Sequence, residues 1–311
     1  MYMLPSILKP GDTLGVVAPA SPFDPALFEM GVRAIEDMGF NLSVDKVVNE
    51  RLGYLAGSDH QRADHLMRMF DDPEIDGIIC ARGGYGAMRT LQFLDEDRIA
   101  ANPKAFVGFS DITALLSFLF SRCRMVCFHG PTLTTLGKGA PSTREHFYST
   151  MTRPLPMSIK ASKARVIRQG NAKGPFLCGN LTLFCHLTGT LFQPNFSGSI
   201  VLFEDQGEAP YRIDRMLTQM RLAGCFDGVA GVALGSFKNC GMEKEIHTIF
   251  ADVLSGLGVP LVAGFDVGHT DVNLTVPVGA PVELESDTCT LRFNAPERSS
   301  EENVMGLNPW A

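Results

Sequence analysis

The sequence predicts an α/β protein that is built on a parallel β-sheet with helices on both faces. Short apolar, β-rich runs alternate with amphipathic stretches of helical spacing. No internal repeat or low-complexity segment interrupts the alternation. The chain has 311 residues, which is enough for two domains. Because alternation of this kind implies right-handed crossovers, we expect the strands to lie parallel with helices on either side.

The first half of the chain supplies most of the alternation. Asp24 and Ser58 are suited to begin two of its helices, and Gly39 is suited to end the first. Buried parallel strands are typically continuous apolar runs, as at 105–109. From these signals we predict strands at 13–20, 75–82, 105–109 and 125–130, and helices at 24–40, 58–72, 87–94 and 112–123.

A change of character near residue 151 indicates a boundary between two domains. Residues 151–172 contain two prolines and many basic side chains but little apolar periodicity. We interpret them as a linker between an N-terminal domain at 1–150 and a C-terminal domain at 173–311. The second domain is predicted to contain a loop leading into a helix at 174–191, strands at 199–205, 229–237 and 260–269, helices at 210–224 and 243–258, a closing hairpin through 276–286 and 288–294, and a loosely held tail at 296–311.

The composition argues against several classes of protein. A formal net charge of −7 does not suit a general nucleic-acid binder, which would carry a basic face. The eight cysteines form no C-x-x-C pair, which indicates buried, reduced thiols. The N-terminal residues lack the basic start of a signal peptide, and no apolar run approaches the roughly 20 residues that cross a bilayer. We therefore expect a cytoplasmic enzyme or binding protein without a membrane or nucleic-acid partner.

Polar side chains gather where the predicted strands end. In open parallel sheets, ligands bind in the crevice beyond the carboxyl ends of the strands. A serine, carboxylates and histidines at such ends are typical of nucleophilic catalysis. The candidates are Ser21, the loop at 82–86, Ser110, Asp111, His129, Glu204, Asp205, Ser236, His269, Thr270 and Asp271.

Ser110 lies at the turn between a predicted strand and a predicted helix. A serine there can be projected towards a substrate, and the backbone amides that begin the helix can stabilise an oxyanion. The hydrolase elbow G-x-S-x-G is matched only by its first glycine, Gly108, because Ile112 occupies the second glycine position. The alternative is that Ser110 or Asp111 merely caps the helix. The residues alone leave both interpretations open.

The glycine loop, residues 82–86 with the sequence RGGYG, follows another predicted strand. Its glycines allow positive φ and leave backbone amides free to approach a ligand. The alternative is a plain tight turn between strand and helix. The loop does not match the dinucleotide fingerprint G-x-G-x-x-G, so it predicts no nucleotide cofactor.

Glu204 and His269 follow apolar runs in the second half. Glu204 closes a very apolar strand, where it is either a surface residue or the partner of a histidine. His269 lies in a loop after Gly268, and a histidine with its ordinary pKa near neutrality is suited to act as a general base. His129 is the rival base.

The remaining histidines are less suited to chemistry. His60 and His65 are expected on the solvated face of a helix, and His186 is expected to be a core residue of an apolar helix. A metal site built from His129, His186 and Asp205 would lack H-x-x-H or H-E-x-x-H spacing. We therefore predict no metal.

Several segments, taken in order, resemble the LD-carboxypeptidase family of serine peptidases, which includes murein tetrapeptide carboxypeptidases and microcin C self-immunity peptidases. The segments are KPGDTLGVVAPAS, ARGGYGAMRTL, FVGFSDITALL, CFHGP, GNLTLFCHLTGT, LFEDQGEAPYRIDRML and GFDVGHTDVNLTVPVGAPVEL, between about residues 8 and 293. The resemblance implies an N-terminal flavodoxin-like domain with a parallel sheet, a C-terminal mixed α/β domain, and an active site in the groove between them.

The resemblance also implies a Ser–Glu–His triad. The family's serine follows GF and precedes D, which places it at Ser110. The family's glutamate precedes D-x-G-E-x-P-Y, which places it at Glu204. The family's histidine begins the motif H-x-x-x-N-x-x-x-P-x-G, which places it at His269. The nucleophile would then come from the first domain and its two partners from the second.

Further roles are implied for the neighbouring residues. The backbone amides of Asp111 and Gly84 would form the oxyanion hole, with Gly83 as the alternative to Gly84. Arg82 is the candidate to receive the terminal carboxylate of a substrate, unless it only anchors the glycine loop. No metal or organic cofactor is implied.

Three functions follow as hypotheses. The leading one is a serine carboxypeptidase that hydrolyses the L,D-peptide bond of murein tetrapeptides and releases the C-terminal D-alanine during cell-wall recycling in the cytoplasm. The second is a peptidase of the same fold that acts on a peptidyl-nucleotide of the microcin C type. The third is a ligand-binding homologue without catalytic activity. The resemblance also predicts a homodimer, with a small peptide substrate as its other partner.

Overall fold

Residues 2–295, described by a computed structural model, form two β-sheets with flanking helices. The first half contains β1 (Thr13–Val17), α1 (Pro25–Asp37), β2 (Asn41–Ser43), α2 (Asp59–Asp71), β3 (Gly77–Cys80), α3 (Ala87–Thr90), α4 (Glu96–Ala101), β4 (Ala105–Gly108), α5 (Thr113–Ser121), β5 (Cys127–His129), α6 (Leu133–Lys138) and α7 (Pro141–Thr152). The second half contains β6 (Met157–Lys160), β7 (Arg165–Arg168), β8 (Asn171–Asn180), α8 (Leu181–Leu187), β9 (Ile200–Gln206), α9 (Pro210–Leu222), β10 (Gly231–Lys238), α10 (Glu243–Val253), β11 (Leu261–Ala263), β12 (Val276–Val278), β13 (Pro281–Glu285) and β14 (Thr290–Phe293).

The first sheet has the strand order β12-β5-β4-β3-β1-β2, and its strands β1 to β5 run parallel. The parallel strands thus have the order 2-1-3-4-5, which is that of flavodoxin-like sheets. The predicted α/β class and parallel sheet are confirmed. Ligands bind in such sheets beyond the carboxyl ends of the strands, where the strand order reverses. Ser21, the glycine loop and Ser110 follow β1, β3 and β4 at this edge.

The central strands of the first sheet are buried because helices cover both faces. All residues of β3 and β4 are buried, as their continuous apolar runs require. The covering helices begin at the residues that the sequence indicated. Asp24 accepts hydrogen bonds from two amides at the start of α1, and Ser58 forms a capping box with Gln61 at the start of α2.

The second sheet is mixed and has the order β6-β14-β13-β8-β9-β10-β11-β7. Its centre, β8 to β11, is parallel, with α8, α9 and α10 as the crossovers between successive strands. Strands β13, β14, β6 and β7 pair antiparallel at its two sides. Glu204 lies near the carboxyl end of β9, and His269 lies in the loop after β11.

Three segments of the second half differ from the predictions. Residues 151–172, interpreted as a linker, supply the edge strands β6 and β7. At 174–191 the expected loop is the strand β8, which leads directly into α8. Residues 276–278 pair as β12 with β5 of the first sheet, while β13 and β14 alone form the hairpin. Local pattern could not show these pairings, because each depends on a partner that is remote in sequence.

Three helices lie where no element was predicted, namely α4, α6 and α7. Two of them carried signals that could have revealed them. Asp95 caps α4, and Pro141 occupies the first turn of α7. The predicted tail at 296–311 lies outside the described residues.

The two sheets are joined by a shared apolar core. We call the first sheet with its helices the N-terminal lobe and the second sheet with its helices the C-terminal lobe. One cluster of buried side chains includes Leu115 and Leu119 of α5 together with Phe176 and Phe203 of the second sheet. All eight cysteines are buried and unpaired. Over residues 2–295, no helix combines the length and the apolarity that crossing a bilayer would take.

Candidate active site

Ser110 occupies a sharp turn between β4 and α5. Its φ of 65° lies in the left-handed region, which a side-chain-bearing residue adopts only when the surrounding structure holds it there. Neither Ser110 nor Asp111 caps α5 with its side chain. The strained serine at a strand-to-helix turn matches the geometry of a nucleophile elbow. The capping alternative is therefore wrong for α5.

Two glycines make room for this turn. A Cβ on Gly108 would lie 2.8 Å from Cγ2 of Ile112, so the first position of the elbow must remain glycine. Gly83 approaches the serine from the other side, and a Cβ there would lie 3.0 Å from Cβ of Ser110. The space that a second glycine gives in G-x-S-x-G is thus supplied here by the glycine loop. Sequence spacing could not show this, because Gly83 is remote from the elbow along the chain.

Glu204 and His269 form a hydrogen-bonded pair. His269 Nδ1 lies 2.6 Å from Glu204 Oε2, the Glu204 side chain is fully buried, and the His269 side chain is 14% exposed. The bond orients the imidazole with Nδ1 towards the C-terminal lobe. The other nitrogen, Nε2, is then the one available for proton transfer, as in the histidine of a catalytic triad.

The electrostatics of this pair favour the protonated imidazole. Burial by itself would lower the pKa of His269, but the charge and the hydrogen bond of Glu204 outweigh burial. The pKa of His269 is therefore raised from its ordinary value of 6.5. A histidine with this pKa readily holds the proton that it takes from a nucleophile, which is what a general base must do.

The His269 loop is held by contacts from both lobes. Asn273 Oδ1 accepts a hydrogen bond of 2.9 Å from the amide of Gly268. The backbone amide of Asn273 donates in turn to Thr143 Oγ1 on α7 of the N-terminal lobe, at 3.1 Å. The ring of Phe109, next to the serine, packs on the His269 ring with 4.8 Å between centroids. The asparagine of the quoted GHTDVN segment thus has a structural role that the sequence analysis did not assign.

Ser110 and His269 face a cavity of roughly 590 Å³ between the lobes. This volume is in the range of sites that bind small ligands. Other residues around the candidate nucleophile also line it, namely Gly83, Gly84 and Phe109. Its lining further includes charged side chains of both signs, which are Asp24, Arg82, Lys138, Lys238 and Asp271. The cavity therefore suits a ligand that carries both charged and apolar groups.

Arg82 is the predicted carboxylate-binding residue, and His129 is the predicted rival base. Arg82 is exposed at the cavity, and its Nη1 donates a 2.6 Å hydrogen bond to the carbonyl of Pro22. The residue thus anchors the glycine loop while it also lines the cavity. His129 is fully buried and does not line the cavity, and burial lowers its pKa to about 4. This position does not suit the rival base.

Three further expectations change with the structure. His65 was expected to be solvated, but it is 2% exposed, and burial lowers its pKa to about 4. His186 was expected in the core, but it is exposed. Asp205 is engaged by Asn180 and Thr182 and has a structural role. Within residues 2–295, no group of three or more His, Cys, Asp or Glu side chains is arranged to hold a metal ion.

Two family models match most of the chain. Residues 14–130 match the model of the LD-carboxypeptidase N-terminal domain, and residues 173–284 match that of the LD-carboxypeptidase C-terminal domain. A Streptomyces coelicolor protein that is named, provisionally, a carboxypeptidase is 40% identical over 94% of this chain and 96% of its own length. The murein tetrapeptide carboxypeptidase of Pseudomonas aeruginosa is 32% identical over 88% of this chain and 93% of its own length.

A solved structure shows the same fold over nearly the whole chain. The wild-type apo structure of the microcin C7 self-immunity protein MccF superposes with a TM-score of 0.88 and 25% identity, covering 96% of this chain and 100% of its own. Both domain models and a relative more than 30% identical thus agree along the described lobes. The chain belongs to the LD-carboxypeptidase family of peptidases.

Proposed function

We propose that the protein is a serine carboxypeptidase that hydrolyses the L,D-peptide bond before the C-terminal D-alanine of murein tetrapeptides. The observation that carries the proposal is the Glu204–His269 hydrogen bond, which faces the same cavity as the strained Ser110. The name of the Pseudomonas aeruginosa relative supports the choice of substrate.

In the proposed mechanism, Ser110 Oγ attacks the carbonyl carbon of the scissile bond while His269 Nε2 takes its proton. Glu204 holds the tautomer of the imidazole and stabilises the imidazolium. The amides of Asp111 and Gly84 stabilise the oxyanion, and the loss of one such donor costs about 3–4 kcal/mol. His269 then protonates the leaving amine of D-alanine, and water attacks the acyl-enzyme to regenerate the serine. Every group that takes part in these reaction steps belongs to the chain, to the substrate or to water.

The direct test is the release of D-alanine from a purified murein tetrapeptide. We expect turnover by the wild-type protein, none by Ser110→Ala, and unchanged turnover by Ser142→Ala, an exposed serine on α7. A tetrapeptide that ends in L-alanine should be a poor substrate. Full activity of Ser110→Ala would contradict the serine mechanism, and equal cleavage of both peptides would contradict the L,D specificity.

Arg82 is proposed to receive the terminal carboxylate through the guanidinium N–H groups that do not bind Pro22. The wild-type protein should then prefer a peptide with a free carboxylate over the same peptide with a C-terminal amide. In Arg82→Ala this preference in kcat/KM should shrink, whereas Lys138→Ala and Lys238→Ala, the other cations of the cavity, should keep it. If Arg82→Ala keeps the preference and a lysine variant loses it, the assignment to Arg82 is wrong.

A second candidate substrate is a peptidyl-nucleotide of the microcin C type. The similarity to MccF over 96% of the chain favours it. Incubation with processed microcin and analysis for a released amino acid would decide between the two substrates. If the protein binds one of these compounds without turnover, it is a non-catalytic homologue.

We further propose that the protein works in the cytoplasm as a homodimer. A cytoplasmic enzyme would meet murein peptides that are brought back into the cell for recycling. Light scattering after size-exclusion chromatography should give twice the mass of the 33.8 kDa chain. A monomeric mass at micromolar concentration would contradict the dimer, and fractionation of cells would test the location.

A further inference from the structure

The glycine loop has a conformation that its own sequence does not enforce. Gly84 has a φ of 103° and Gly86 a φ of 125°, values that residues with side chains rarely adopt. Glycines are also free to adopt many other conformations, so a loop of this composition needs external contacts to hold one geometry. Ser21 binds the backbone amide of Tyr85, and Arg82 binds the carbonyl of Pro22. Two charged and buried side chains add further contacts at the end of the loop.

The first of these side chains is Asp111, the residue after the candidate nucleophile. Its Oδ2 accepts a 2.7 Å hydrogen bond from the amide of Ala87, directly after the glycine loop. The residue is 3% exposed. The Asp111 carboxylate, next to the serine, thus binds the backbone amide that directly follows the glycine loop. This hydrogen bond connects the elbow to the loop.

The second side chain is Arg62 of α2. Its Nη1 donates a 2.8 Å hydrogen bond to the carbonyl of Gly86 and another to the carbonyl of Pro19. Its Nη2 binds Asp59, whose other oxygen accepts two hydrogen bonds from Arg89, at 2.8 and 3.0 Å. Arg62 is 3% exposed although it carries a charge. Helical spacing predicts α2, but it points to no role for Arg62.

We propose that Arg62 and Asp111 are positioning residues that hold the glycine loop so that the amide of Gly84 points at the oxyanion formed on Ser110. The inference rests on the proposed function, since it presupposes an oxyanion. Arg62 fixes a carbonyl at Gly86, and Asp111 fixes the next amide at Ala87. The two charged groups therefore hold the peptide segment at the end of the loop from opposite sides.

The energetics favour a functional purpose for this arrangement. Removing a charged group from water is costly, and apolar residues of similar volume often stabilise a fold as well as a buried ion pair does. Arg62 and Asp111 nevertheless lie buried beside the loop, each with 3% exposure. Charged groups make shorter and stronger hydrogen bonds than neutral ones, and such bonds fix backbone geometry closely. Close geometry is what an oxyanion donor requires.

The kinetic test compares Arg62→Met, Arg62→Lys and Asp111→Asn with the wild-type protein. Arg68→Met is the matched control, because Arg68 lies on the same helix but pairs with Asp45 at the surface. We expect kcat on the tetrapeptide to fall about 10- to 100-fold in the first three variants, with KM within about threefold. The affinity for a peptide aldehyde, whose hemiacetal oxygen would occupy the oxyanion hole, should fall in proportion to kcat/KM.

A structural role alone would give a different result. Partial unfolding would lower the fraction of active protein without lowering the aldehyde affinity of the fraction that remains folded. If the Arg62 and Asp111 variants fold, lose kcat and keep the wild-type aldehyde affinity, the positioning role is wrong. The role is also wrong if Arg62→Met behaves as Arg68→Met does.

A second measurement is independent of activity. Amide hydrogen exchange in peptides that cover residues 82–89 should be at least tenfold faster in Arg62→Met and Asp111→Asn than in the wild-type protein, and unchanged in Arg68→Met. Unchanged exchange in all variants would overturn the inference even if the enzyme is active. A wild-type protein without peptidase activity would contradict the proposed function, and the exchange rates would still show whether the two residues hold the loop.

Discussion

His269 Nδ1 lies 2.6 Å from Oε2 of Glu204, a carboxylate without exposure to solvent. The imidazole comes from the loop after β11 and the carboxylate from β9, so the folding of one lobe sets the orientation of the base. The candidate nucleophile belongs to the other lobe. Any reaction that joins them depends on how the two lobes meet.

The first prediction concerns the pH dependence of hydrolysis. The general base must be neutral, and Glu204 raises the pKa of His269 above 6.5, so kcat/KM should rise with pH through a limb above 6.5. In Glu204→Gln the limb should move to lower pH, and kcat should fall by about 10²- to 10⁴-fold. Rate profiles between pH 5 and pH 9 measure both effects. Glu245→Gln, an exposed change on α10, should leave the profile as in the wild type. A limb that stays in place would show that Glu204 does not control the titrating group.

The second prediction concerns backbone strain at the elbow. Ser110 has a φ of 65°, and glycine adopts this region without the penalty that a Cβ brings, about 1–2 kcal/mol. Ser110→Gly should therefore unfold with a free energy about 1 kcal/mol greater than that of Ser110→Ala, while both lack activity. Guanidinium denaturation gives the comparison. If the turn stored no strain, Ser110→Ala would instead be the more stable variant by about 0.4–1 kcal/mol, because glycine raises the entropy of the unfolded chain.

The third prediction concerns a buried hydrogen bond that crosses between the lobes. The backbone amide of Asn180, at the end of β8, donates to Thr113 Oγ1 at the start of α5, at 2.9 Å. Thr113→Val nearly keeps the shape but leaves this amide unpaired, which should cost about 1–3 kcal/mol of unfolding free energy. Thr248→Val, at an exposed threonine on α10, is the matched control. Because α5 begins just after Ser110, kcat should fall along with stability; a loss of stability without any change in kcat would separate this contact from catalysis.

The fourth prediction concerns His129. Burial lowers its pKa to about 4, below the value of about 6.5 in an unfolded chain. The neutral form is thus favoured in the folded state, and the resulting stability is present above pH 6.5 and lost as the pH falls towards 4. As the pH falls from 6.5 to 4, the unfolding free energy of the wild type should therefore decrease relative to that of His129→Phe by about 1.4 kcal/mol per pH unit.

The same variant tests whether His129 is the base. His129→Phe should keep kcat within about tenfold of the wild-type value, since the ring does not reach the cavity. A loss as large as that of His269→Ala, in a folded protein, would restore His129 as the rival base. A flat stability difference between pH 6.5 and 4 would contradict the depressed pKa.

The sequence by itself determined the class of fold and the identity of the candidate residues. Alternating apolar runs and helix caps such as Asp24 and Ser58 are local features, so they predicted the parallel sheet and its helices. The order of the quoted segments predicted the family. The positions of Ser110, Glu204 and His269 followed from motifs in those segments.

The tertiary structure alone decided which residues meet. The approach of Gly83 to Ser110, the exchange of β12 into the first sheet, and the bond from α7 to the His269 loop all join segments remote in sequence. Arg62 shows the reason most clearly. Helical periodicity assigns a charged residue to the solvated face, and only the tertiary packing of Pro19 and Gly86 against α2 provides the carbonyl groups that accept the hydrogen bonds of the buried guanidinium.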